Sequence, residues 1–147
     1  MGAKILVVAS DTENMARLEM SLSPRGHEVV LCNKLSDAQT VLDNDTTIDL
    51  IICDLIFPVG DSFDLLKEVR ADHAQGDMPF IFLVEAESLL TDNLRKAAAI
   101  LGADKFIFMD NFDAHRVRCE IEALLPEQTT GSMPPAITQP EDREIGT

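Results

Sequence analysis

Five short apolar runs, each followed by a stretch with helical periodicity, constrain this chain more than any other feature. The runs cover residues 4–8, 27–32, 48–53, 80–84 and 105–108, and they are rich in β-branched or aromatic residues. Strands that are apolar on both faces need cover on both, which predicts an α/β fold: a doubly wound parallel sheet with helices on each side. Right-handed crossovers leave few topologies for such a chain.

The intervening segments carry helix signals. Asp11 or Thr12 caps a first helix with Met15, Leu18 and Leu22 inward, stopping at Pro24-Arg25-Gly26. Ser36-Asp37-Ala38-Gln39 reads as a capping box opening a second helix, with Ala38, Val41 and Leu42 inward. Asp61 or Ser62 caps a third, with Phe63, Leu66 and Val69 inward. The fourth is expected over about residues 88–101, with Leu90, Leu94, Ala97 and Leu101 on one face and Gly102 as its C-cap. The last turns Ala114, Val117, Ile121 and Leu124 inward and stops at Pro126. Residues 1–126 are thus expected to form one domain, a usual size for a single core. Residues 127–147 are rich in proline, lack periodicity and read as a disordered tail or linker.

Charge narrows the function classes. With 26 acidic residues against 12 basic and a net charge of −14, the chain lacks the basic face that nucleic acid or an anionic membrane requires. No apolar run is long enough to span a bilayer, and no signal peptide is evident. Met1-Gly2-Ala3 begins like a myristoylation site, but Leu6 stands where Ser or Thr is needed. Cys32, Cys53 and Cys119 have no CxxC spacing, which fits reduced thiols of a cytoplasmic protein. Cys53 and Cys119 are expected to be small core fillers. His27, His73 and His115 have no metal-ligand spacing and are expected at the surface.

Asp54 closes the third apolar run, where open α/β sheets keep their chemistry. After it come Leu55-Ile56-Phe57-Pro58 and then Asp61, an Asp-x-x-x-Pro-x-x-Asp loop. With Lys4-Ile5-Leu6-Val7-Val8 as first strand, Asp49-Leu50-Ile51-Ile52-Cys53-Asp54 as third, and Leu101-Gly102-Ala103-Asp104 before the fifth, residues 3–125 resemble a response-regulator receiver domain. The resemblance implies a flavodoxin-like sheet in the strand order 2-1-3-4-5. It also implies that Asp54 is a phosphoacceptor, that Mg²⁺ neutralises the incoming group, and that the function is phosphorelay (two-component) signalling.

The chain departs from that family where the chemistry is assisted. Ala9-Ser10 follows the first strand where an acidic pair would hold Mg²⁺, and Asp11 lies one place late. Val84 replaces a Ser or Thr, Glu85 a small residue, and Met109 a Lys; Asp110 follows in place of Pro. Phe106 keeps the aromatic switch position without a hydroxyl. Asp54, Glu85 and Asp110, with Asp11 nearby, are expected to form a pocket mouth without a cation. Phosphotransfer rests on positioning and charge stabilisation, so losing these helpers together should disable it.

Three functional readings follow. The leading one is an atypical, or pseudo-, receiver: a non-enzymatic protein-interaction module with a degenerate phosphorylation site. Its partner is a histidine kinase or another signalling protein. The resemblance points to the helix 4–strand 5–helix 5 face for contacts or homodimerisation, with Asn93, Lys96, Asn111, His115 and Arg118 as exposed candidates. The second is a working receiver phosphorylated on Asp54 by a histidine kinase, with Asp11 and Asp54 holding Mg²⁺. The third is a small-molecule-binding flavodoxin-like domain recruiting Cys53 or His73. Against it, Ser10-Asp11-Thr12-Glu13 is no glycine-rich phosphate loop. Asp54 can also serve simply as a turn-capping carboxylate.

Overall fold

A computed structural model describes residues 2–72 and 76–125 of the chain. His73 and residues 127–147, read above as a ligand candidate and as a tail, lie outside the described residues.

The expected sheet forms. Strands β1 (Lys4–Val8), β2 (Glu28–Cys32), β3 (Leu50–Asp54), β4 (Phe80–Val84) and β5 (Lys105–Phe108) pair in parallel in the order β2-β1-β3-β4-β5. Every residue of β3 and β4 is buried, as strands covered on both faces must be. The β3 strand starts later than expected and takes in Asp54, which is in register with Leu83. Before it, the Asp49 carboxylate accepts from the Lys4 amide at 2.8 Å, aligning the lead-in with β1.

Period-two alternation splits the core into two layers. Leu6, Val8, Ile51, Cys53, Phe80 and Phe82 face α2 (Leu35–Asn44), α3 (Ser62–Ala71) and α4 (Asp92–Leu101). Ile5, Val7, Leu50, Ile52, Ile81 and Ile107 face α1 (Thr12–Leu22) and α5 (Ala114–Leu124). Phe82 is the hub of the first layer, packed edge-on to Phe63 and Phe80 and stacked on Phe106.

Side-chain caps set four helix starts: Asp11 accepts from Glu13 N–H, Asp61 from Phe63 N–H, Asp113 from Arg116 N–H, and Thr91 from Leu94 N–H. The last corrects the expected start near residue 88. A single 3-10 turn over Glu87–Leu89 and buried Leu90 come first, and α4 begins after Thr91. The capping box at Ser36 does not form. α2 starts at Leu35, whose burial draws the helix back past Ser36, and Lys34 at its N-cap gives no side-chain bond. Ala98, not Ala97, is the buried alanine of α4. Ala114 is exposed at the first turn of α5, where its carbonyl accepts from Ser21 Oγ at 2.7 Å. Cys119 is exposed as well, because Val117 and Ile121 hold the inward face of α5.

Arg70, near the end of α3, ties three segments together. Its guanidinium donates to the carbonyls of Gly76, Met78 and Gly102 and pairs with Asp104. Gly102 closes α4 at φ 102°, and a Cβ there would lie 2.8 Å from Arg70 Nε, so both conformation and space call for glycine.

Candidate functional site at the switch point

The sheet grows from β1 in both directions, towards β2 and towards β3. Strand order reverses at that point, which opens a crevice at the carboxyl ends of the strands. Asp54 ends β3 on one side of the crevice, and Ser10 follows β1 on the other.

The two residues are bonded. Ser10 N–H donates to Asp54 Oδ2 at 2.9 Å, and Ser10 Oγ donates to the same oxygen at 3.3 Å. No described residue hydrogen-bonds Oδ1 of Asp54. The side chain is only 8% exposed. Burial pushes its carboxyl up to about 6. The two Ser10 bonds act against that shift, while nearby Glu85 and Asp11 add to it by charge repulsion. Ser10 therefore does more than mark a missing ligand: it is a neutral double donor to the carboxylate.

Asp54, Asp11 and Glu85 line a cleft of about 610 Å³ with Ser10, Ile56, Phe57, Val84 and Leu89. Among the described residues no lysine or arginine lines it. Glu85 is held by the Asn14 amide at 2.5 Å. Asn14 is buried on α1, and sequence reasoning missed it because nothing local marks an asparagine whose partner lies 71 residues away. Val84 is buried at the cleft wall. Met109 is buried in the α1–α5 layer, so an apolar side chain fills the position read as a lost lysine. Asp110 is a correction: it is exposed and not part of the cleft lining, and its N–H donates to the Glu85 carbonyl.

The carboxylates that a magnesium ion would use are partly engaged. Mg²⁺ takes six oxygens in near-octahedral geometry. Here Asp11 Oδ1 is engaged by Glu13 N–H and Asp54 Oδ2 by Ser10. Among the described residues no group of three or more His, Cys, Asp or Glu is placed to hold a metal ion.

Phe106 lies partly buried between two contacts. Its ring stacks on Phe82 at 6.1 Å, and the Arg95 guanidinium of α4 sits 5.5 Å from its centroid. On the expected contact face, Asn93, Lys96, Asn111 and His115 are exposed. Arg118 is half-buried, which corrects its expected exposure: its terminal nitrogen is 2.7 Å from His115 Nδ1, and its buried Nε has no partner. Cys53 is buried and burial pushes its thiol well up, so it is no ligand-ready thiolate. His27 is also a correction. It is 8% exposed, takes the Ala3 amide on Nδ1 and meets Glu122 at 2.8 Å through Nε2, linking the start of β1 to α5.

The chain has the fold of response-regulator receiver domains: a five-stranded 2-1-3-4-5 sheet with an aspartate at its switch point. In sequence, the chain is 30% identical over 122 residues to the transcriptional regulatory protein CpxR of Klebsiella pneumoniae, covering 83% of this chain and 49% of that protein. It thus spans about half the length of the curated relatives it matches. In structure, it resembles the chemotaxis response regulator CheY4 of Vibrio cholerae, with a TM-score of 0.75 and 20% identity over 85% of this chain and 100% of that one. A second neighbour is the receiver domain of the sensor histidine kinase PA1611 of Pseudomonas aeruginosa, solved with magnesium coordinated in its active-site cleft. It has a TM-score of 0.72 and 21% identity over 84% of this chain and 98% of that one. No family model matches the chain. Among the described residues no helix is long and apolar enough to cross a membrane.

Proposed function

We propose that this receiver domain is a cytoplasmic, non-enzymatic protein-interaction module whose phosphorylation site is degenerate around Asp54. The observation that carries the reading is the environment of Asp54: a buried carboxylate bonded to neutral Ser10, near Asp11 and Glu85, in a cleft lined by no basic residue among those described. A dianionic phosphoryl group entering there meets two further carboxylates and no fixed positive charge. Transfer to an aspartate depends on such charge stabilisation.

The partner in this reading is a histidine kinase or another signalling protein, met on the face of α4, β5 and α5, which also serves for any homodimer. Exposed Asn93, Lys96, Asn111 and His115 belong to that face. Phe106 supports a fixed conformation, since its ring is pinned between Phe82 and Arg95 and ties α4 to β5. The net charge of −14 argues against nucleic acid or an anionic membrane as the partner.

The test is direct. The protein is incubated with Mg²⁺ and acetyl phosphate, or with beryllofluoride, and intact mass and amide spectra are recorded beside Asp54→Asn. The expected outcome is no adduct and no metal-dependent spectral change. A metal-dependent adduct lost in Asp54→Asn would establish the working phosphoacceptor instead.

A further inference from the structure

The described residues include six large hydrophobic side chains that are exposed, and three of them gather at one end of the sheet. Ile56 is 63% exposed and Leu89 53% exposed on the rim of the Asp54 cleft. Val59 is 84% exposed just past Pro58, in an adjoining groove of about 660 Å³ that shares Ser10, Phe57 and Pro58 with the cleft. Apolar side chains grouped round a cavity mark a contact site more often than scattered ones do.

The cleft lining combines two chemistries: apolar Ile56, Val84 and Leu89, and acidic Asp11, Asp54 and Glu85. Asp54 is more than nine-tenths buried and lines the cleft; Ser10 occupies its Oδ2, and no described residue hydrogen-bonds its Oδ1. Glu85 is fixed in direction by buried Asn14. The cavity lies within the range of ordinary small-group binding sites.

We propose that this cleft receives the side chain of an arginine or lysine presented by a protein partner, its alkyl stem against the apolar lining residues and its cationic head among the carboxylates. This rests on the degenerate-site reading, because a phosphorylated Asp54 would need the same space for a phosphoryl group and its metal. Arginine suits the site best, since a planar fork can serve two carboxylates and its stem prefers apolar cover. The rim decides in favour of a protein over a free amine. A small cation would leave Ile56, Val59 and Leu89 in water, whereas apolar residues flanking the inserted side chain would cover them.

The test uses the whole 147-residue protein and an end-blocked peptide of leucines and serines with one central arginine, beside the same peptide carrying neutral citrulline. Amide resonances of Ser10, Val84 and Leu89 are followed to millimolar peptide. The expected result is a saturable shift with the arginine peptide. Binding should fall about tenfold with citrulline and by a similar factor in Glu85→Gln, the size of one partly screened charge pair. Leu89→Ser should also weaken it, and both exposed-site variants should keep the parent melting temperature. Equal binding of the citrulline peptide, or no saturable shift, overturns the proposal. So does Mg²⁺ displacing the arginine peptide from the same resonances. The two readings fail separately: an Mg²⁺-dependent phosphoryl adduct on Asp54 sinks the degenerate site, while absent peptide binding without an adduct sinks the cation pocket alone.

Discussion

Ser10 N–H lies 2.9 Å from Asp54 Oδ2, and its hydroxyl reaches the same oxygen at 3.3 Å, so one neutral residue after β1 holds the carboxylate at the end of β3. The contact spans the switch point of the sheet. It stands where the receiver resemblance places an acidic metal ligand, and on the proposed reading it exchanges metal coordination for hydrogen bonding.

Ser10→Asp is expected to reverse that exchange. A new carboxylate beside buried Asp54 adds like-charge repulsion and removes the hydroxyl donor, which should destabilise the fold by about 1–2 kcal/mol at neutral pH. Thermal unfolding with and without millimolar Mg²⁺ checks this. The melting temperature of Ser10→Asp should rise with Mg²⁺ while the parent protein is indifferent to it.

The Asp54 carboxyl, raised from 3.8 to about 6 mainly by burial, makes stability depend on pH. Between those values the folded state keeps a proton that the unfolded chain has released. Stability therefore declines as pH rises through this window, and the full penalty applies above about 6. The shift corresponds to at most about 3 kcal/mol, and screening at the cleft mouth reduces that to about 1–2. Asp54→Asn should thus be more stable than the parent near pH 7.5, with the gap closing near pH 4. Urea unfolding at the two pH values decides it; a constant gap would contradict the burial argument.

Phe82→Ala should cost about 3–5 kcal/mol, because it empties the centre of the layer shared by Phe63, Phe80 and Phe106. Phe106→Ala, at a partly buried position, should cost less. Denaturant midpoints of the two variants give the comparison, and a larger loss for Phe106 would contradict the packing described.

Arg70→Ala removes donors to three carbonyls and an ion pair with Asp104, and should cost about 2–4 kcal/mol. Arg70→Lys should recover little, because one ammonium cannot reproduce the planar fork. Full recovery by lysine would show that charge alone matters.

Native-state thiol titration with an aromatic disulfide reagent should modify Cys119 alone. Cys32 and Cys53 are buried, and burial pushes both thiols up. Rapid reaction of more than one thiol would contradict this.

Much of this protein is determined by its sequence alone. The both-faces-apolar runs dictate β3 and β4, because strands such as Phe80–Val84 have no face for water. The end caps at Asp11 and Asp61 follow from local chemistry, since a carboxylate reaches the amide two residues on without help from elsewhere. Asp54 and its Pro58–Asp61 loop mark the switch point for the same reason: the cues are contiguous. Tertiary structure decided the rest. α2 starts ahead of its local capping signal because burial of Leu35 outweighs it, and Cys119 is exposed because neighbouring Val117 and Ile121 set which face of α5 turns inward. Asn14 and Glu85, His27 and Glu122, and above all Ser10 and Asp54 are polar pairs formed between distant segments. No periodicity announces such a pair, because each member gains its partner only when the sheet brings two strand ends together.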